Sequence, residues 1–143
     1  MAYATQADME ARFGTEEVLL ASDRDGSGVV DPTAMTSCLD AATGEMDSYI
    51  AAQYELPLDT PVSEHIEHLC CDIAMYRLSA DSPAYTEEKR VRYEDAIAWL
   101  KMLAEGTVTL GENESEEESI QVAELSSDTE DRLFTRTTQR NIW

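Results

Sequence analysis

Apolar side chains return every three or four positions along most of the first 110 residues, the spacing of one helical face. Met35, Leu39, Ala42, Met46 and Tyr49-Ile50 form one such series. Val62, Ile66, Leu69-Cys70, Ile73 and Arg77 form a second, which predicts a helix from about residue 62 to residue 78. Tyr93, Ala96-Ile97, Leu100 and Leu103-Ala104 form a third. "EEVLLAS" reads as a shorter apolar helix.

Start and stop signals bracket these series. Thr5 is an N-cap with Asp8 three residues on, in the manner of a capping box. Gly14 breaks the first helix, and Thr15 restarts the chain with Glu16 and Glu17 where they complement the helix dipole. Asp31-Pro32 opens the series at Met35, because Asp caps backbone donors and Pro suits the first helical position. Gly44 sits inside that series and weakens it. "YELPLDTP" ends it, since the residue before a proline is pushed out of the α region. Thr86, followed by Glu87 and Glu88, caps the last helix, and Gly106 stops it. "TVTL" reads as a short strand-like exit. The fold class expected is all-α: a compact bundle of four to five helices with an extended C-terminal arm.

Composition narrows the functions open to such a bundle. The 143 residues suit one domain, with 43% hydrophobic residues and only 6 Gly and 4 Pro, which disfavours a turn-rich all-β fold. The formal net charge is -20. A surplus of that size argues against gripping a nucleic-acid backbone, which needs clustered Lys and Arg. It is compatible with lying near DNA as a surface to which DNA does not stick. Cys38, Cys70 and Cys71 are odd in number and lack a Cys-x-x-Cys pair, so they are expected as buried free thiols. No secretion signal precedes the first helix, and no apolar run approaches the ~20 residues of a membrane helix. A soluble protein that does not enter a membrane is expected.

After Gly111 the chain changes character. "ENESEEES" is strongly acidic, and no basic residue appears until Arg132; "RLFTRTTQRNIW" then turns basic. Residues 1–110 are expected to form the helical core. Residues 111–143 are expected to form an acidic, flexible arm that orders on binding a partner. Phe134, Ile142 and Trp143 are costly to leave exposed. With Arg136 and Arg140 between them they have the makeup of an interface anchor.

One loop carries a pattern with chemical meaning. "SDRDGSGVVDPTA" matches the first nine positions of an EF-hand loop, with Asp23, Asp25, Ser27 and Asp31 as candidate ligands and Gly28 at the turn. The bidentate carboxylate expected at the closing position is replaced by Ala34. The competing reading is a helix–helix corner: Gly26 and Gly28 allow positive φ, and Asp31-Pro32 starts the helix. A phosphate cradle fits worse, because the carboxylates stand where a phosphate would sit. "EHIEHLCCD" puts His65, His68 and Asp72 on one helix side near Cys71. Three ligands from one straight helix rarely surround an ion, so an exposed polar face is expected there. No catalytic constellation is present in the sequence, and neither enzyme activity nor a cofactor is expected.

Taken together, "MAYATQADMEARFG", "DRDGSGVVD", "DSYIAAQYELPL", "LCCDIAMYRL" and "RYEDAIAWLKMLAEGTVTLG" occur in an order that resembles the Mu-like phage family of small head–tail connector (neck adaptor, head-completion) proteins. The resemblance covers about residues 1–111 and rests on the collinear set. It implies a helical subunit of a homo-oligomeric ring, twelve copies in such connectors, seated under the portal protein. The ring would extend the DNA channel and dock a tail-side neck or stopper protein. Genomic DNA would pass through its lumen without specific binding. It implies a place in the head–tail neck of the virion, after assembly in the host cytoplasm. By the same resemblance the C-terminal segment would grip the portal. Two other functions stay open on the residues alone: an EF-hand-like calcium-binding module, and an acidic DNA mimic that blocks a host DNA-binding enzyme.

Overall fold

The computed structural model of the chain describes residues 1–111. Five helices follow one another there: α1 (Gln6–Phe13), α2 (Thr15–Ser22), α3 (Pro32–Ile50), α4 (Glu64–Ser79) and α5 (Glu87–Ala104). No strand occurs among the described residues. The all-α bundle expected from the periodicity is the fold.

Local chemistry sets most of the helix starts. The Thr5 hydroxyl accepts the Asp8 N–H, and the Thr5 N–H donates back to the Asp8 carboxylate at 2.7 Å, closing a capping box. Asp31 Oδ1 accepts the N–H groups of Thr33 at 2.9 Å and Ala34 at 3.2 Å, with Pro32 in the first turn of α3. Ser63 caps α4 through the Ile66 N–H, and Thr86 caps α5 through the Lys89 N–H. Gly14, at φ +93, lets the chain end α1 and begin α2 without an intervening loop.

α4 is the centre of the bundle and packs against all four other helices. Ile66, Cys70, Cys71, Ile73, Ala74, Met75 and Leu78 are buried, so burial wraps most of the circumference of α4 and leaves residues such as His65 and Arg77 exposed. α3 supplies Met35, Leu39, Ala42, Met46 and Ile50, and α5 supplies Ala96, Leu100 and Leu103. Met9 on α1 and Val18 on α2 close the remaining side. Each buried Leu, Ile or Met contributes about 2 kcal/mol of apolar transfer.

Two expectations about the elements change. Arg77 does not continue the buried stripe of α4: it is exposed and reaches Glu45 on α3. "TVTL" is not a strand. Gly106 turns the chain at φ +77, and the N–H groups of Thr107 and Val108 both go to the Met102 carbonyl, at 2.9 and 3.4 Å. With those donors drawn back onto α5, and no neighbouring strand among the described residues, there is no ladder to join.

Candidate functional site

The loop between α2 and α3 is held from within. Asp23 Oδ1 accepts the Ser27 N–H at 2.9 Å, and Oδ2 accepts the Gly28 N–H at 2.8 Å. The hydrogen bond from Gly28, ahead of those from Ser27 and Gly26, holds the Asp23 carboxyl below the usual carboxylate range. Gly26 and Gly28 have φ of +70 and +74, and a Cβ at either would meet no neighbouring atom within 4 Å. Glycine is therefore required there for the hand of the backbone, not for space. At the far end Asp31 spends Oδ1 on the first turn of α3. Ala34 lies in that turn and brings no oxygen to the loop.

The candidate ligands line a shallow cleft of about 270 Å³, which Asp23, Asp25, Ser27 and Asp31 share with Arg24, Val29, Val30 and Pro32. Among the described residues no group of three His, Cys, Asp or Glu side chains is placed to hold a metal ion. Arg24 also sets a cation on the rim of this cleft.

The His65–His68–Asp72 side of α4 is not the uniformly exposed polar face expected. His65 is exposed, but its ring meets Trp99 edge-on with centroids 4.5 Å apart. His68 stands 3.6 Å from Glu64. Asp72 is buried, because it receives both arms of the Arg12 guanidinium, Nε at 2.9 Å and Nη2 at 2.8 Å. A carboxylate can be enclosed when a bidentate cation satisfies it. Cys70 and Cys71 are buried free thiols, whereas Cys38 is only half-buried. Burial, then the neighbouring Cys70, pushes the Cys71 thiol up to about 12.

Two surface constellations were not visible in the sequence. Glu45 on α3 accepts Arg77 Nε at 3.2 Å, Arg77 Nη2 at 2.5 Å and the Tyr93 hydroxyl at 2.8 Å, joining α3, α4 and α5. Tyr93 also stacks on Tyr76, with centroids 4.4 Å apart. The second lies where α1 and α2 meet the start of α5. There Arg12, Phe13, Lys89 and Arg92 line a groove of about 380 Å³ together with Glu17, Thr86 and Glu88. The guanidinium carbons of Arg12 and Arg92 sit 5.8 and 5.7 Å from the Phe13 ring centroid. The buried Lys89 ammonium donates to Glu17 and to the Ala84 carbonyl. Arg92 was unremarkable in the linear pattern, and Lys89 falls outside the apolar stripe read for α5.

Phe134, Arg136, Arg140, Ile142 and Trp143, the expected partner anchor, lie outside the described residues. No described helix is long and apolar enough to cross a membrane.

The described residues thus form an acidic helical bundle in which reactive side chains are dispersed and polar groups serve caps and inter-helix pairs. Sequence comparison shows what kind of protein has this bundle. Gene product J of Escherichia phage Mu is 30% identical over 112 residues, covering 78% of this chain and 77% of that protein. The Mu-like prophage FluMu protein gp36 of Haemophilus influenzae is 35% identical over 88 residues, covering 62% of this chain and 60% of its own length. The family model described as Bacteriophage Mu, Gp36 matches residues 3–127, past the helical core and into the acidic stretch. The chain belongs to that bacteriophage family.

Proposed function

We propose that this protein is a head–tail connector: a subunit of a ring that sits under the portal, extends the DNA channel and docks the next neck or tail component. The observation that carries the reading is the combination, within a bacteriophage family, of a five-helix core and a net charge of -20. A channel wall must not bind the polyanion that slides through it, and a carboxylate-rich surface meets that need by repulsion. The bundle suits the role as well, since inter-helix pairs such as Arg12–Asp72 and Glu45–Arg77 tie its helices together.

In this reading residues 112–143 engage the portal protein, with Phe134, Ile142 and Trp143 as apolar anchors and Arg136 and Arg140 as their cationic partners. The segment's acidic first half keeps it solvated until it meets its partner. The test is deletion of 112–143. The shortened chain should keep its helical circular dichroism and lose co-sedimentation with portal rings. Retained co-sedimentation would contradict the assignment.

A further inference from the structure

Two features remain unused: the Asp-rich loop after α2, and the Phe13 groove beside the start of α2. Val29 at the tip of the loop is 66% exposed, a large apolar side chain held out on a glycine-shaped turn. Near it, the Asp25 carboxylate has no hydrogen-bond or ion-pair partner among the described residues, and Asp31 uses only Oδ1. The loop therefore presents one aliphatic knob flanked by two carboxylates with unspent acceptor capacity.

The groove offers the converse. Its half-buried Phe13 ring lies between two guanidinium groups, and each keeps N–H donors. Arg12 spends Nε and Nη2 on Asp72, which leaves Nη1; Arg92 spends Nη2 on Glu88, which leaves Nε and Nη1. The Arg92–Glu88 pair is exposed and contributes little, so Arg92 can turn to another carboxylate at small cost. Arg12, Lys89 and Arg92 gather three of the ten Lys and Arg of a chain whose net charge is -20. Glu17 and Glu88 in the lining and the buried Asp72 balance those three cations, so on so acidic a protein the groove is a charge-balanced patch that a second copy can approach with less repulsion than elsewhere.

Knob and groove sit at opposite ends of α2. Glu17 in its first turn lines the groove, and the loop leaves from Ser22. Eight helical residues span about 12 Å. One copy can therefore give its loop and receive a neighbour's through different surfaces. That is a heterologous contact, which propagates head to tail and yields a ring where the rotation closes.

We propose that the Asp25–Asp31 loop of one copy docks in the Phe13 groove of the next, Val29 against the Phe13 ring and the two carboxylates on the free guanidinium donors of Arg12 and Arg92. The proposal rests on the ring reading and assigns the subunit contact within it. It also gives the EF-hand-like loop a use that needs no cation.

Charge reversal tests the pairing on the full chain. At about 0.15 M salt the long-range repulsion between copies is screened within ~8 Å, while contact pairs persist. Sedimentation equilibrium up to about 1 mM chain reads the association. Asp25→Arg and Arg92→Glu, each alone, should weaken association by about tenfold or more, because each sets like charges in contact. Mixing the two variants should restore it, since position 25 of each loop then faces a position 92 of opposite charge. Val29→Ser, which alters only an exposed side chain, should also weaken it. Circular dichroism checks that each variant keeps its helices. Wild type that associates while the variants associate equally, or a mixture that fails to recover, overturns this contact and leaves the ring reading standing. A wild type that stays monomeric throughout also overturns the contact, whereas the joining of heads to tails decides the connector reading independently.

Discussion

Arg12 on α1 forks onto Asp72 on α4, with both guanidinium-to-carboxylate bonds under 3 Å and 60 residues of chain between the partners. The pair ties the N-terminal helix to the central one. Asp72 is nearly enclosed, while Arg12 keeps a quarter of its side chain in water. Removing the carboxylate would strand a half-buried cation. Asp72→Ala should therefore lower the unfolding free energy by about 3 kcal/mol, the lower end for a broken buried pair. Urea denaturation followed by circular dichroism measures it, and a loss below about 1 kcal/mol would show that the fork is dispensable.

The Asp-rich loop makes a different prediction. Asp23 already satisfies two loop N–H groups, Asp31 caps α3, and Ala34 offers no closing carboxylate. Calorimetric titration with calcium should give no binding heat and no rise in melting temperature. Asp31→Ala should cost about 1 kcal/mol through the lost cap, with or without calcium. A calcium-dependent rise in melting temperature that Asp23→Ala plus Asp25→Ala removes would instead make the loop a cation site.

The cysteines differ in access. Cys70 and Cys71 are buried, with burial raising both thiols, whereas Cys38 is half-buried. A thiol reagent should label one cysteine of the folded protein, Cys38, and reach the other two only on unfolding. Peptide mapping of the label checks this, and rapid labelling of Cys71 under native conditions would contradict the packing of α4.

Alkaline pH should destabilise the core. Tyr93 is pushed up to about 12, first by burial and then by its hydrogen bond to Glu45, and Cys71 also stands at about 12. Both folded values lie above the unfolded ones, so the folded chain holds protons that the unfolded chain gives up. The associated stability is complete below about pH 9 and is lost as pH rises toward 12. The urea midpoint should fall across that window. Glu45→Gln should bring the Tyr93 phenolate signal to lower pH, and an unchanged titration would remove Glu45 as a cause.

Much of this fold is legible along the chain because its helix starts are written in neighbouring residues. Thr5 with Asp8, and Thr86 with Glu87 and Glu88, signal their helices within one turn. Ile66, Ile73, Met46 and Leu100 repeat at helical spacing, so the core follows from the period. Contacts between distant residues do not announce themselves. Asp72 reads as one more surface acid until Arg12 arrives from another helix. Lys89 reads as exposed, yet it is buried because Glu17 and the Ala84 carbonyl receive its ammonium. "TVTL" has β-prone residues, but strand formation needs a partner that periodicity cannot supply. The Phe13 groove is drawn from three helices, and so only the folded chain reveals it.

The connector assignment is tested most directly by head-to-tail joining. In a phage or inducible prophage that carries this gene, an early stop codon in it should leave DNA-filled heads and complete tails unjoined. Adding the purified protein to the lysate should restore joined, infectious particles, visible by electron microscopy and countable as plaques. Heads and tails that join without the protein, or that stay apart after its addition, would contradict the account.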